Sequence, residues 1–344
     1  MKRRVLACIG MATILMVGCN QGDQTKGASS SEQKADVNKA GVEVLSEVYP
    51  LTGIATNEDI NHRAISVTVN NHPAARPQSG LQKADFVYEM LAEGNVTRFL
   101  AVYQSEQPER VGPVRSARDY FVQIAEGLDS IYIAHGYSPE AKELLDKEYV
   151  DSLNGLAYDG TLFKRDSSRK APHNSYISFE NIEKGIEEKG YDLDGQPPSF
   201  SFLSEEEAQQ LKGEDATNVT VGYGDSSYDV TYVFVHEDQV YERYTKGTQT
   251  VDADTGTPVA LNNIIVLEAP HKVVDSEGRR DINLSNGGNA YLFQNGKMNQ
   301  IQWQFVDNTI TFMNDGKEVE LIPGKTWVNV IPTNPGLQEK VQFE

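Results

Sequence analysis

Several segments in the first half of the chain have the apolar pattern of β-strands. Residues 64–69 read A-I-S-V-T-V, an alternation of apolar and polar positions typical of a half-buried strand. Residues 84–91 form a nearly continuous apolar run, as in a strand buried on both faces. Residues 98–104 follow after a short polar turn, so we expect them to pair antiparallel with residues 84–91. Another strand, S-I-Y-I-A-H, ends at His135.

Three helices are predicted among and after these strands. Ser116 is a candidate N-cap, because its hydroxyl can accept a free backbone N–H. Asp119 then occupies the position of the reciprocal acid in a capping box, and apolar residues recur at helical spacing up to Gly127. Ser138 followed by proline predicts the start of a second helix. Residues 178–189 predict a third.

The second half of the chain has a different pattern. Ser204 and Glu207 form a capping box that opens a short helix, and short strands follow from residue 218 onward. Hairpin-turn positions are occupied by Glu237-Asp238, Asn295-Gly296 and Asp315-Gly316. We therefore predict an α+β fold, with an N-terminal mixed α/β domain with an irregular sheet at residues 49–203. A mostly antiparallel β domain follows at residues 204–344.

The first 48 residues are predicted to lie outside these domains. Residues 1–18 have the composition of a signal peptide, with three basic residues before a short apolar segment. The sequence M-V-G-C at residues 16–19 resembles the lipobox of bacterial lipoproteins, which implies cleavage before Cys19 and its acylation. The alternatives are an ordinary secretory signal and a membrane span, and the apolar segment is short for a span. Residues 19–48 are polar and predict a flexible tether.

Charge and cysteine content narrow the function further. Without the three basic residues of the signal peptide, 28 basic and 50 acidic residues remain, a formal net charge of −22. Such acidity argues against nucleic-acid binding and against docking of the folded part on anionic lipid. Cys19 is the only cysteine left after cleavage, so the sequence predicts no disulfide, no thiolate metal site and no thiol catalysis.

Arg115 and Arg118 are the most informative residues, because the prediction places both at a helix start. The first turn of a helix carries partial positive charge, so cations there are unfavourable by up to about 1 kcal/mol. A bound phosphate, sulfate or carboxylate explains them, since helix N-termini bind anions. The alternative is an internal ion pair with Asp119, Glu89 or Glu93.

Other polar residues occur where predicted elements end. Asn71, His72 and Arg76 follow the first strand, His135 follows another, and His173 with Asn174 lies in a further loop. Sites are commonly built from loops at strand ends. These residues, with the arginines and acids above, are candidates for an anion-binding or acid–base cleft. The alternative for each histidine is a loop hydrogen bond without chemistry.

The motifs N-N-H-P-A-A-R-P-Q-S-G-L, G-P-V-R-S-A-R-D and A-P-H-N-S-Y together resemble the YerB-type lipoprotein family, over roughly residues 50–332. That family consists of bacterial lipoproteins with two domains and no established activity. The resemblance therefore implies localisation and domain layout, and it assigns no catalytic role to any residue.

Motifs of several enzyme classes do not occur in the sequence. It contains no G-x-S-x-G, H-E-x-x-H, G-x-x-x-x-G-K-[ST] or G-x-G-x-x-G motif. Residues 252–256, D-A-D-T-G, resemble the start of a calcium loop but lack its later ligands, so we predict no metal. No cofactor is predicted.

We therefore expect a protein anchored by lipid to the outer face of the cell membrane, with a binding or scaffolding role in the cell envelope. The expected partners are the membrane, through the N-terminal lipid, and either a cell-wall fragment or an envelope protein. The alternative is a hydrolase or transferase acting on envelope glycan or phosphodiester, with His72 or His135 as base and the arginines as oxyanion clamp. A third interpretation is a structural partner of cell-wall synthases.

Overall fold

Strand-forming segments from both halves of the chain meet in one twelve-stranded mixed sheet. The computed structural model describes residues 47–344. The predicted signal peptide, Cys19 and the predicted tether up to residue 46 lie outside the described residues. Within the described part, helices make up about 16% and strands about 42%, so the α+β prediction is confirmed.

The helices of the described residues are short and lie mostly in the first half of the chain. They are α1 (Asp119–Gly127), α2 (Pro139–Asp146), α3 (Gly155–Tyr158), α4 (Phe179–Lys189), α5 (Glu205–Gln209) and α6 (Leu337–Lys340), with 3₁₀ turns at Pro73–Ala75 and Leu81–Lys83. The predicted cap of α2 is confirmed, because Ser138 accepts the backbone N–H of Ala141. The third predicted helix is present as α4, and Ser178 caps it by accepting the N–H of Asn181. The capping box of α5 is confirmed as well.

Strands occupy both halves of the described chain. The first half contains β1 (Glu47–Val48), β2 (Ala55–Thr56), β3 (Ile65–Asn70), β4 (Phe86–Glu93), β5 (Val96–Tyr103), β6 (Arg110–Val111), β7 (Ile131–Ala134), β8 (Ser152–Asn154), β9 (Phe163–Arg165), β10 (Ser175–Ser178) and β11 (Ser201–Phe202). The second half contains β12 (Glu214–Asp215), β13 (Asn218–Val221), β14 (Val230–Val235), β15 (Val240–Thr245), β16 (Thr248–Gln249), β17 (Ala260–Leu261), β18 (Asn263–Ala269), β19 (His271–Val273), β20 (Arg280–Ile282), β21 (Gly288–Gln294), β22 (Lys297–Val306), β23 (Thr309–Asn314), β24 (Lys317–Glu318), β25 (Glu320–Leu321), β26 (Thr326–Pro332) and β27 (Val341–Phe343).

The order of the large sheet is β24-β23-β22-β21-β18-β26-β4-β5-β3-β7-β8, with β12 beside β22. The halves join where β26 pairs in parallel with β4 and with β18. A second, six-stranded sheet has the order β16-β15-β14-β13-β27, with β17 beside β15. The boundary predicted at residues 203/204 stays a prediction, and the structure adds that the segments on either side of it share a sheet.

The core lies on both faces of the large sheet. Along β4, Val87 and Leu91 pack into the cluster that contains the six-stranded sheet and α4. The alternate residues Phe86, Tyr88 and Met90 pack into the cluster that contains α1. This alternation explains why the strand reads as a continuous apolar run. None of the helices in the described residues is long and apolar enough to cross a membrane.

Candidate anion-binding site

The carboxyl ends of several strands lie along one edge of the large sheet. β3 pairs in parallel with β7, and β7 with β8. β4 has the same direction as β3, because both pair antiparallel with β5. His72 therefore follows one strand at this edge, Glu93 ends another, and His135 follows a third. Ligands of sheets with this topology commonly bind beyond the carboxyl ends of the strands.

The segment before α1 is extended and lies between two of these strand ends. The backbone N–H of Arg115 donates to the carbonyl of Thr68 (2.8 Å), and the carbonyl of Arg115 accepts from the N–H of His135 (2.9 Å). The N–H of Ala117 donates to the carbonyl of Gly136 (3.0 Å). Residues 115–117 therefore bond like a short strand and do not begin a helix.

The predicted capping of α1 is accordingly wrong. The helix begins at Asp119, and its N-cap is Arg118, which makes no side-chain capping bond. The Ser116 hydroxyl instead donates to the carbonyl of His135 (3.2 Å). Gly136 has a positive φ of 93°, and a Cβ there would lie 2.8 Å from the Ser116 hydroxyl oxygen. The contact between the two segments thus requires glycine at this position.

Glu93 is the acid around which the arginines gather. Nη2 of Arg98 donates to both carboxylate oxygens of Glu93 (2.6 and 2.8 Å). Nη2 of Arg118 donates to Oε2 of the same residue (2.5 Å). Both guanidinium groups also hold the extended segment, since Nη1 of Arg98 donates to the carbonyl of Ser116 and Nη1 of Arg118 to that of Ala117. For Arg118 and Glu93, the predicted internal ion pair is therefore present.

The electrostatics of this group follow from burial and crowding. Burial favours the protonated form of Glu93, but the charges of Arg98 and Arg118 outweigh it and hold the pKa of that carboxyl below its usual range. Burial and the neighbouring Arg118 lower the pKa of Arg98 to about 10, although Glu93 opposes them. Glu93 and Arg98 are therefore charged at neutral pH.

Arg115 lies beside this group and is not paired. Its Nε is buried and has no hydrogen-bond partner, and no acidic group of the described residues lies within 4.0 Å of its guanidinium. Burial lowers the pKa of Arg115, Glu93 opposes this effect, and Arg118 and Arg165 add to it. We call Glu93, Arg98, Arg115 and Arg118 the arginine cluster. In it two guanidinium groups share one carboxylate and the third is unpaired, so the cluster carries two positive charges in excess.

Two histidines form a stacked pair near the cluster. The rings of His72 and His173 stack with centroids 4.5 Å apart and an angle of 19° between their planes. Nδ1 of His72 accepts the backbone N–H of Ala74 (3.1 Å), and Nδ1 of His173 lies 2.9 Å from the Asn70 amide nitrogen. Burial lowers the pKa of His173, and the charges of His72 and Arg115 lower it further.

His135 is held on both ring nitrogens. Nε2 lies 3.1 Å from Nη2 of Arg165, and Nδ1 lies 2.7 Å from the Ser175 hydroxyl. Because a guanidinium only donates, Nε2 is the accepting nitrogen and Nδ1 carries the proton. Burial lowers the pKa of His135, and Arg165 and Arg115 lower it further. Asn174 belongs to the same group, since its Oδ1 accepts from Nη1 of Arg165 (3.2 Å).

Three of the predicted site residues belong to a different group, centred on Glu89. This carboxylate is fully buried and accepts four bonds, from Asn71 (3.1 Å), Thr97 (2.9 Å), Arg243 (2.8 Å) and Trp327 (3.1 Å). Arg76 is attached to it through Asn71, whose Oδ1 and backbone carbonyl both accept from its guanidinium (2.9 and 2.8 Å). We call Asn71, Glu89, Thr97, Arg243 and Trp327 the Glu89 network.

Comparison with known proteins places this geometry in a family. The profile described as "Protein of unknown function (DUF3048) N-terminal domain" matches residues 51–192, and the profile of its C-terminal domain matches residues 219–328. The Bacillus subtilis protein described as "Putative lipoprotein YerB" is 46% identical over 286 residues, which are 82% of this chain and 86% of the relative. This chain belongs to the DUF3048 family.

A crystal structure of the YerB protein from Bacillus subtilis has the same fold. It superposes with a TM-score of 0.80 at 44% identity and covers 87% of this chain and all of the crystallised chain. The predicted resemblance to the YerB-type family is therefore confirmed. All residues of the arginine cluster and all three histidines lie within the part matched by the N-terminal DUF3048 profile.

The structure of this DUF3048 protein brings together only some of the predicted site residues. Those at the edge of the sheet are His72, Glu93, Arg115, Ser116, Arg118, His135, His173 and Asn174. Asn71, Arg76 and Glu89 belong to the other group. Asp119 pairs with no arginine of the described residues, and its pKa is raised mainly by burial and further by Asp281 and Glu140. The predicted pairings of the arginines with Asp119 and Glu89 are therefore absent from the described part.

The prediction missed six residues that the structure places at these sites, which are Thr97, Arg98, Arg165, Ser175, Arg243 and Trp327. Arg98 and Arg243 are 2% and 1% exposed, in strands whose other residues are largely apolar or aromatic. A charged residue in a largely apolar strand is rarely buried unless it has a partner. An arginine in such a strand is therefore the signal that identifies Arg98 and Arg243. Arg165 and Ser175 carry no comparable signal, because they are polar residues in polar surroundings.

The aspartate-rich turn at residues 252–256 has a structural role in the described chain. Oδ1 of Asp252 accepts the backbone N–H groups of Asp254 (2.9 Å) and Thr255 (3.0 Å). Oδ2 accepts the N–H of Gly80 (2.5 Å), which connects this turn to the N-terminal segment. Among residues 47–344, no three histidine, cysteine, aspartate or glutamate side chains are grouped so as to hold a metal ion.

Proposed function

We propose that this DUF3048 protein is a lipid-anchored binding protein of the cell envelope. In this proposal the arginine cluster takes a carboxylate or phosphate group of an envelope component, such as a peptidoglycan fragment. The observation that carries the proposal is the state of Arg115, whose half-buried guanidinium has no acidic partner among the described residues. A bound anion supplies that partner.

The charge of the whole molecule supports the interpretation. The chain carries a formal net charge of −19, so acidic residues are abundant. Even so, Glu93 is the only acid of the described residues that pairs with an arginine of the cluster, and Arg115 pairs with none. The carboxyl ends of β3, β4 and β7 meet there, and binding sites commonly lie at such an edge. No contact of residues 47–344 favours the alternative of a hydrolase or transferase with His72 or His135 as base.

The binding proposal is tested by titration calorimetry with the full chain in detergent micelles. Purified muropeptides that carry free carboxylates are the ligand, and the same muropeptides with amidated carboxyl groups are the neutral comparison. We expect Arg115→Gln to weaken binding of the charged form about tenfold, because one charge-assisted bond is lost. Lys184→Gln, at an exposed cation of α4 outside the cluster, is the matched control and leaves the affinity unchanged.

The outcomes separate the possible sources of the anion. Equal affinity of wild type and Arg115→Gln for muropeptides rejects the cluster as their site. A synthetic acidic peptide is the second ligand. If it binds in an Arg115-dependent way while muropeptides do not, the partner is an acidic protein segment.

The anchor is tested separately by labelling cells with radioactive palmitate. The lipobox and the description of the Bacillus subtilis relative as a lipoprotein support acylation of Cys19. We expect label in the wild-type chain and none in Cys19→Ser, and label retained in that variant rejects the anchor. The Cys19→Ser protein is expected in the culture medium, because the acylated cysteine is the group that holds such a protein on the membrane.

A further inference from the structure

A cavity of about 230 Å³ lies between the two parts of the chain that the family profiles match. The N-terminal part contributes Asn71 and the segment 76–78, and the C-terminal part contributes β15, β16 and the residues after them. It is separate from the arginine cluster, because none of the residues of that cluster lines it. Cavities between two segments of this kind are frequent binding sites for small molecules.

One wall of the cavity is a buried cation that already has its counter-ion. Arg243 donates from Nη2 to Glu89 (2.8 Å) and from Nη1 to the hydroxyls of Thr245 (3.1 Å) and Thr250 (2.9 Å). Its guanidinium also lies 4.6 Å from the ring centroid of Trp327. The side chain is 2% exposed, so its position is set by the core.

The second cation of the cavity, Arg76, has no counter-ion. Its Nε and Nη2 bond to Asn71, and no acid of the described residues lies within 4.0 Å of it. Nη1 makes no hydrogen bond within the described chain. Burial and the charge of Arg243 lower the pKa of Arg76 to about 10, so it is still cationic at neutral pH. Its guanidinium also lies 5.5 Å from the ring centroid of Tyr228.

The orientation of Arg76 is fixed before any ligand arrives. Asn71 holds the guanidinium at two atoms and is itself held by Glu89 and Thr97. Gln78 adds a third bond to Asn71, from its Nε2 to Oδ1 (3.2 Å). A group held in this way loses little conformational entropy on binding, which favours recognition of an anion.

The remaining surface of the cavity determines what else the ligand contains. It is mostly apolar, with Pro77, Val251 and the threonine side chains exposed to the space. At about 30 Å³ per water, the volume corresponds to about eight waters, which is below the range of drug-sized pockets. We propose that this cavity binds a small organic monocarboxylate, with the carboxylate on Arg76 and the apolar part against Pro77 and Val251.

The test uses benzoate as the probe and benzamide as its neutral isostere, with the full chain in detergent micelles and empty micelles as the blank. Binding is measured by saturation-transfer NMR titration. We expect saturable binding of benzoate and affinity for benzamide about tenfold lower, since the charge-assisted bond to Arg76 is missing. Arg76→Gln is expected to remove this difference. Lys184→Gln, at an exposed cation of α4 that belongs to neither site, is the matched control and leaves benzoate binding unchanged.

A second variant acts through volume and leaves the charges intact. Thr248 lines the cavity and is exposed in β16, so Thr248→Trp fills the space without disturbing the core. We expect Thr248→Trp to abolish benzoate binding. If Arg76→Gln does not fold, the Thr248→Trp measurement tests by itself whether benzoate occupies the cavity. Equal binding of benzoate and benzamide, full binding by Thr248→Trp, or no saturable binding overturns the proposal. The muropeptide test depends on Arg115 and this test on Arg76, so failure here leaves the muropeptide test unaffected.

Discussion

Glu89 lies in the middle of β4 and Glu93 at its end, four residues on, and their surroundings differ in one decisive respect. Glu89 is fully buried and has one cation, Arg243, together with three neutral donors. Glu93 is 27% exposed and has two bonded arginines, with Arg115 close by and unpaired. The first acid is charge-balanced inside the protein and the second is not. The same residue types therefore build a charge-balanced core in one place and a partly exposed cluster with excess positive charge in the other.

The backbone explains how two acids on one strand reach different groups. Regular alternation places residues four apart on the same face of a sheet. The pairing of β4 with β5 shifts register between Leu91 and Glu93, and such a shift changes the side to which later residues point. Glu93 consequently meets Arg98, and Glu89 meets Arg243 from the other half of the chain.

The largest expected effect comes from removing the acid of the balanced group. Glu89→Gln leaves Arg243 buried without a counter-ion, so we expect the free energy of unfolding to fall by about 3–5 kcal/mol. Urea denaturation measures it. A loss below about 1 kcal/mol contradicts the description of the Glu89 network as the charge-balanced core.

Glu93→Gln is expected to lower the free energy of unfolding less than Glu89→Gln does, and its loss is expected to respond to sulfate. The carboxylate is partly exposed, so we expect a loss of about 2 kcal/mol. Sulfate at constant ionic strength is expected to restore part of this loss, because it neutralises the three remaining arginines. The matched control is Glu89→Gln, in which the buried arginine is out of reach of the salt and the loss persists. Equal recovery of both variants removes the distinction between the two groups.

Acidification is expected to destabilise the folded protein through three histidines, because burial lowers the pKa of His271 in β19 to about 4 and also lowers those of His135 and His173 at the edge of the sheet. The pKa values of His135 and His173 are lowered in the folded protein, so below about pH 6.5 the unfolded chain binds more protons than the folded one. The free energy of unfolding therefore declines as the pH falls from 7 to 5. His135→Asn is expected to flatten this decline in urea titrations at each pH. An unchanged slope shows that His135 does not contribute to it.

The smallest effect on stability is expected for Arg115→Gln. An unpaired guanidinium contributes little to folding, so the free energy of unfolding changes by no more than about 0.5 kcal/mol. The sulfate-dependent part of the stability is nevertheless expected to disappear, as measured by urea denaturation with and without the salt. A loss comparable with that of Glu93→Gln means that Arg115 is a structural residue.

The strand segments, the caps at Ser138, Ser178 and Ser204, and the hairpin turns were predictable, because each depends on neighbours within a few residues. The start of α1 was not. Ser116 has the right neighbours for an N-cap, yet its backbone lies in a segment that bonds to the ends of β3 and β7. Bonds to residues about 20 and 50 positions away outweighed the local preference, and the sequence around Ser116 contains no trace of them.

The local sequence by itself determined the helices and strands of this protein, its resemblance to a family, and the presence of two arginines, at residues 115 and 118, that need an anionic partner. Tertiary structure alone decided which acid each arginine meets. Arg118 and Arg98 share Glu93, Arg243 takes Glu89, and Arg76 and Arg115 are left without an acid among the described residues. The physical reason is that an ion pair depends on distance in space, and here the partners are brought together by strand pairing across the whole chain and by one register shift in β4.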